Sequence, residues 1–209
     1  MLRILIADDH TVVRKGLRQI LLDEFPTAEI EEVADAEALI QKVMTAQWDV
    51  VISDLSMPGR SGLDALQQIK VSHPYLPVLI LSIHPEEQYA LRALKSGAWG
   101  YLSKDTAPDE LVKAVQRVLL GKKYISQAIA EKLAGNFSAN ALISPHESLS
   151  DREFDVMKLL ANGKSVSEIA EMLSLSATTL STYRARILAK MNLKSNSDLT
   201  RYAIENKLI

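Results

Sequence analysis

Over its first 120 residues the chain alternates five times between a short aliphatic, β-branched run and a stretch of helical period. This alternation restricts its fold more than any other feature. The runs are Leu2–Ala7, Glu29–Val33, Val50–Ser53, Val78–Ser82 and Trp99–Ser103. Helical stretches lie near Val12–Asp23, Ala36–Ala46, Gly62–Ser72, Glu86–Ser96 and Pro108–Leu119. In the first of these, Val13, Leu17, Ile20 and Leu21 recur at the three- and four-residue spacing of one buried helix face. Strands separated by helices need crossover connections and therefore run parallel. The expectation is an α/β, doubly wound parallel five-stranded sheet of flavodoxin-like size. Glu29, Glu31 and Glu32 surround Ile30 in the second run, and an edge position would explain them.

After Gly121 the alternation stops. Tyr124–Ala134 reads as one more helix, and Gly135–Ser148 as a linker rich in turn residues. Beyond Leu149 only helical patterns remain: Asp151–Asn162, Val166–Leu173, Ala177–Asn192 and Ser195–Asn206. Gly163 stands where a helix C′ residue belongs, and Ser165 offers an N-cap to the helix that follows. The reading is a domain over residues 1–120, a helix plus linker over 121–148, and a small all-α four-helix domain over 149–209.

Charge divides at the same places. The chain as a whole carries a formal −2, which excludes binding to polyanions by bulk charge. Residues 1–120 carry −5, residues 121–145 carry +2 and residues 146–209 carry +1. Between Glu171 and Asp198 lie 26 residues without an acid, and Arg184, Arg186, Lys190 and Lys194 all fall there. There is no cysteine, so disulfides, thiolate metal sites and cysteine nucleophiles are excluded. The apolar start is stopped by Asp8-Asp9-His10, too early for a secretory signal, and no run approaches the roughly 18 apolar residues of a membrane span. A cytoplasmic protein with no membrane partner is expected.

In an open parallel sheet, functional groups gather beyond the C-terminal strand ends. Asp8 and Asp9 end the first strand, Asp54 the third and Ser82 the fourth, while Lys104 follows the fifth. If strands one and three are neighbours, three carboxylates converge, and their repulsion calls for a bound cation or raised pKa values. Oxygen ligands with room for water suit Mg²⁺. Carboxylate, Mg²⁺, hydroxyl and lysine are also the parts needed to receive a phosphoryl group. Taken singly, Asp9 could merely cap the next helix and Lys104 could be solvated. His10, His73, His84 and His146 show no metal-ligand spacing and read as surface or loop residues.

Asp8-Asp9, Asp54-Leu55-Ser56-Met57-Pro58-Gly59 with Gly62, Ser82, and Gly100-Tyr101-Leu102-Ser103-Lys104 resemble the receiver domain of bacterial two-component response regulators. The resemblance implies that Asp54 is the phosphoacceptor. It further implies that Asp9, Asp54 and the Ser56 backbone carbonyl hold Mg²⁺ directly, with Asp8 assisting through water. Ser82 and Lys104 would bind the phosphoryl oxygens, and Tyr101 resembles the switch aromatic that turns inward as Ser82 moves. On the residues alone, Tyr101 reads equally as half-buried packing. One departure stands out: many receivers have proline after the lysine, often with a cis bond, where this chain has Asp105.

The last 60 residues resemble the LuxR/NarL-type helix-turn-helix domain. Arg152-Glu153, Leu159 to Ser165, Glu168-Ile169-Ala170, Leu175-Ser176, Thr179-Leu180, Ile187 and Lys190-Met191 carry the resemblance. Within Ala177–Asn192, residues Leu180, Tyr183, Ile187, Leu188 and Met191 form one stripe. Thr178, Ser181, Thr182, Ala185, Arg186 and Ala189 lie opposite, small enough to enter a major groove and read base edges and a thymine methyl. Arg186, Lys190 and Lys194 would meet phosphates, Tyr183 could do so through its hydroxyl, and Arg184 sits at the edge of the apolar stripe. The candidate DNA contacts are thus Thr178, Thr179, Ser181, Thr182, Tyr183, Arg184, Arg186, Lys190 and Lys194.

The expected function is a transcription regulator, not an enzyme. It would be switched when a sensor histidine kinase phosphorylates Asp54 and would bind double-stranded DNA as a phosphorylated homodimer. Two other classes stay open at this level. A small-molecule phosphohydrolase would need a substrate cap, and the chain has no insertion long enough for one. A protein-interaction adaptor would not touch DNA at all.

Overall fold

A computed structural model describes residues 1–58, 60–127, 129–131, 144–173 and 175–209. The chain divides into two compact units, Met1–Ser138 and Ala139–Ile209. Gly59, much of the helix read over Tyr124–Ala134, and most of the linker read over Gly135–Ser148 lie outside the described residues.

The first unit runs β1 (Arg3–Ala7), α1 (Thr11–Glu24), β2 (Glu29–Val33), α2 (Ala36–Thr45), β3 (Val50–Asp54), α3 (Gly62–Ser72), β4 (Val78–Ser82), α4 (Glu86–Lys95), β5 (Gly100–Ser103) and α5 (Ala107–Leu119). All five strands are parallel, in the order β2-β1-β3-β4-β5. Strand ends fall within a residue of those read from the sequence, and Asp54 closes β3 as expected. Alternate residues of the inner strands face opposite ways. Ile4, Ile6, Val50, Ile52, Leu79 and Leu81 join Leu17 and Leu21 of α1 and Leu111, Val115 and Val118 of α5 in one buried cluster.

β2 is an edge strand, and its acids are neutralised rather than merely exposed. Glu29 pairs with Arg3 at 2.9 Å, and Glu32 with Lys15 at 3.0 Å. Glu31 pairs with Lys42 of α2. Pairing of this kind lets an acidic strand sit on the sheet while keeping its outer edge unattractive to another strand.

The second unit opens with a 3₁₀ turn, Pro145–Ser148, followed by α6 (Asp151–Ala161), α7 (Val166–Met172), α8 (Ala177–Lys190) and α9 (Asn196–Glu205). Each of the four helices starts on a serine whose hydroxyl accepts from a backbone N–H of the first turn: Ser150, Ser165, Ser176 and Ser195. At Ser150 and Ser165 a glutamate three residues on reaches back to the cap N–H, completing a capping box. Gly163 follows α6 at φ +82°, a left-handed conformation in which a Cβ is strained. Phe154, Leu180, Ile187, Leu199 and Ala203, all fully buried, lie at the centre of these helices. Among the described residues no helix is long and apolar enough to cross a membrane.

Candidate functional site

Strand register assembles the first group of side chains. Ala7 of β1 lies opposite Ser53 of β3, so Asp8 leaves the sheet beside Asp54. Ser82 lies opposite Ser103 of β5, which places Lys104 one step beyond the same edge. Lys104 reaches back across it: Nζ is 2.6 Å from Asp8 Oδ2 and 2.9 Å from Asp54 Oδ2. The structure thus brings Asp8, Asp54 and Lys104 together, with Ser82 fully buried alongside. Asp105 does not disturb this. Among the described residues there is no cis peptide, and the turn after β5 is held by Lys104 N–H donating to the Ser82 carbonyl at 2.8 Å.

Two carboxylates sharing one ammonium leave a residual negative charge. Burial pushes the Asp54 carboxyl above the usual range, and the hydrogen bond from Lys104 only partly opposes it. Burial works against the Lys104 charge as well, yet its bonds to Asp8 and Asp54 outweigh this and hold it above the ordinary lysine value. Lys104 therefore remains a cation between two acids.

Asp9 does not cap α1. The capping position belongs to His10, which makes no side-chain cap bond, so the Asp9 carboxylate is free for other work. His10 itself joins the acids, with Nδ1 2.8 Å from Asp9 Oδ1 and 3.3 Å from Asp8 Oδ1. One ligand atom each from Asp8, Asp9, His10 and Asp54 can be chosen so that all lie within 4.8 Å of one another. Asp8 Oδ2 and Asp9 Oδ1 are buried and accept no well-directed hydrogen bond, facing the Lys104 ammonium and the His10 imidazole. Oxygens in that position fit a hard divalent cation.

Tyr101 is turned inward, only 4% exposed, and its hydroxyl donates to the His84 carbonyl at 2.9 Å. Burial pushes its phenol pKa up to about 12. The His84 N–H donates to Ser82 Oγ at 3.0 Å, and its Nε2 lies 3.0 Å from Ser56 Oγ. The imidazole also stacks on Tyr89, with ring centroids 4.8 Å apart. His84 therefore ties the loops after β3 and β4 to each other and to Tyr101. His10 and His84 are loop residues, as the sequence reading has them, yet His10 joins the acids and His84 joins the loops around Tyr101. Their only sequence signal was position, His10 directly after Asp8-Asp9 and His84 two residues after Ser82.

The second group lies on α8. Leu180, Ile187, Leu188 and Met191 are buried, while Thr178, Thr179, Ser181, Thr182, Ala185, Arg186 and Ala189 are exposed. Ser181 and Thr182 donate their hydroxyl protons to the Ala177 and Thr178 carbonyls at 2.9 and 3.1 Å. Their oxygens remain as acceptors, and Thr182 keeps a methyl group to present. Thr179 lies in the first turn, where its N–H donates to the Ser176 hydroxyl at 3.0 Å. Tyr183 and Arg184 are half-buried, and Arg184 Nε donates to Asn196 Oδ1 of α9 at 2.7 Å. Lys194 is exposed in the turn before α9. Lys190 is exposed too, but its Nζ is 2.6 Å from the buried Glu153 carboxylate.

Two family models match the chain. The response regulator receiver domain matches residues 4–116, and the bacterial regulatory proteins of the luxR family match residues 147–203. Among curated relatives, the response regulator UvrY of Escherichia coli is 37% identical over 209 residues, spanning 100% of this chain and 96% of its own. The oxygen regulatory protein NreC of Staphylococcus carnosus is 39% identical, spanning 100% and 99%. Among solved structures, RcsB of Salmonella enterica serovar Typhimurium, bound to promoter rprA in the presence of phosphomimetic BeF₃⁻, matches with a TM-score of 0.64 at 27% identity. That match covers 97% of this chain and 98% of RcsB.

Proposed function

The chain belongs to the two-component response regulators of the NarL/FixJ family, a receiver domain followed by a LuxR-type DNA-binding domain, and on that footing we propose that Asp54 is its phosphoacceptor and α8 its DNA-reading helix. As a member of this family it is a transcription regulator rather than an enzyme. In this reading residues 1–120 receive the signal, 121–148 connect, 149–209 read DNA, and the protein works in the cytoplasm.

The observation that carries the first half is the single lysine held by two acids at one sheet edge. An oxygen of Asp54 attacks the phosphorus of a sensor kinase's phosphohistidine, the P–N bond breaks, and the freed imidazole nitrogen takes a proton. Lys104 already lies against that oxygen and balances charge on the transferred group, and Ser82 supplies a hydroxyl beside it. Asp9, Asp54 and the Ser56 carbonyl, with Asp8 behind them, would hold Mg²⁺, which supplies charge neutralisation for phosphoryl transfer when bound. The cation has to compete with Lys104 for Asp8 and Asp54, but Asp9 is outside that pairing. Asp9→Asn is therefore expected to weaken Mg²⁺ binding about tenfold or more, read by calorimetry.

Exposure of Thr178, Ser181, Thr182 and Arg186 opposite the buried stripe supports the second half. Solved structures of RcsB include complexes with DNA and two dimers on parallel DNAs, and we extend that mode of binding to this chain as a phosphorylated homodimer. Gel shifts of the full-length protein on genomic fragments, with and without acetyl phosphate and at two salt concentrations, test it. Retardation that increases with phosphodonor and falls with salt is expected. No retardation under any condition would leave an adaptor.

A further inference from the structure

Lys190 is the last residue of α8, and the assumption that a lysine there meets a phosphate does not fit its surroundings. Its ammonium lies 2.6 Å from Oε2 of Glu153, whose side chain is only 5% exposed. The same oxygen accepts the Ser150 N–H at 2.8 Å, inside the capping box that starts α6. One carboxylate oxygen therefore joins the first turn of α6 to the last turn of α8. We infer that Lys190 acts on DNA without touching it, as a positioning residue that holds the reading helix against α6 through Glu153.

Three physical arguments support the assignment. Withdrawing the ammonium to a phosphate would strand a buried carboxylate, and that costs far more than an exposed ammonium gains from one contact. The cation also sits at the C-terminal end of α8, where the helix dipole favours it. Finally, Glu153 would otherwise present an uncompensated negative charge close to a polyanion. Burial pushes the Glu153 carboxyl up, but the bonds from Lys190 and Ser150 outweigh this and hold it below the usual range, so it is ionised at neutral pH.

The inference rests on α8 being the helix that enters the groove, and one experiment separates the two claims. Full-length wild type is used, with acetyl phosphate, to select a duplex from a random library. Affinity for that duplex is then measured against salt for wild type, Lys190→Met, Lys190→Arg, Glu153→Gln, the double variant Glu153→Gln/Lys190→Met, and Arg186→Met. A lost phosphate contact lowers the salt slope by about 0.9. Arg186→Met should show that decrease. Lys190→Met should lose about tenfold in affinity at an unchanged slope. Glu153→Gln should lose a similar factor although every cation is retained, and the double variant should be no weaker than either single one. Lys190→Arg should restore binding.

A slope reduced by about 0.9 in Lys190→Met, or full affinity in Glu153→Gln, would overturn the inference. Glu153→Gln keeps the test decisive should Lys190→Met fail to fold. If wild type selects no duplex, the DNA reading fails, and the positioning role fails with it.

Discussion

Asp54→Asn should leave the protein folded and abolish its labelling by acetyl phosphate. The substitution replaces one carboxylate oxygen by an amide nitrogen of similar size and removes the nucleophile. Stability is not expected to suffer. Burial pushes the Asp54 carboxyl upward, which means the fold carries its charge at a cost, and asparagine relieves that cost. Lys104 keeps Asp8 as a partner at 2.6 Å and is not left unpaired in the interior. The measurement is the intact mass after incubation with acetyl phosphate and Mg²⁺, beside a thermal melt of the same sample. Loss of the added phosphoryl group with an unchanged melt assigns the acceptor to Asp54. Persistent labelling would transfer the role to another acid of the cluster, with Asp8 and Asp9 the first to test.

Gly62→Ala is the second substitution with a large expected effect, and its target is the backbone that carries Asp54. Gly62 begins α3, and its N–H donates to the Leu55 carbonyl at 2.8 Å, closing the loop that follows β3. A Cβ at this position would overlap the Asp54 carbonyl oxygen and come within 3.1 Å of Leu55 Cα. Both obstacles are backbone, so neither can rotate away. Either α3 moves out from the sheet or the end of β3 bends, and both routes disturb packing around Leu63 and Leu66, which are 1% exposed. A cost of about 3 kcal/mol or more is expected, read as a lower urea midpoint for the receiver unit. Phosphorylation should also slow, because the carbonyl being displaced belongs to Asp54, the proposed acceptor. An alanine variant of wild-type stability would mean that the loop accommodates a methyl group.

These two residues were not equally legible. Asp54 stood out in the sequence because a carboxylate ending a buried strand is unusual, and four other polar groups ended or followed neighbouring strands in the same way. Gly62 stood out only through its place in a known motif. Nothing in the run Ser61-Gly62-Leu63-Asp64 says that a backbone oxygen lies against its Cα. His84 was missed for a related reason. Its ties to Ser82 and Tyr101 are made by a backbone N–H and a backbone carbonyl, and a residue's backbone contacts do not depend on its identity. Arg184 and Lys190 show the converse. Both contribute to the basic, acid-free stretch, yet each is held by a partner inside its own unit, Asn196 and Glu153 respectively. A charge count gives the sign of a segment but not which of its charges are available.

The sequence by itself determined the elements and their order. Helix and strand periods, serine caps and Gly163 act over a few residues, so they are written locally and survive a reading one window at a time. It also determined that acids would collect at one sheet edge, since βα units repeat with one handedness and one polarity. Only the tertiary structure decided which groups meet. The β1–β3 register sets Asp8 beside Asp54, and a lysine 50 residues from Asp54 in the chain closes the pair. A carboxylate 37 residues from Lys190 pairs with it at the end of α8. Such partnerships depend on distances that packing creates, and a buried charge takes whichever counter-charge the fold brings within reach.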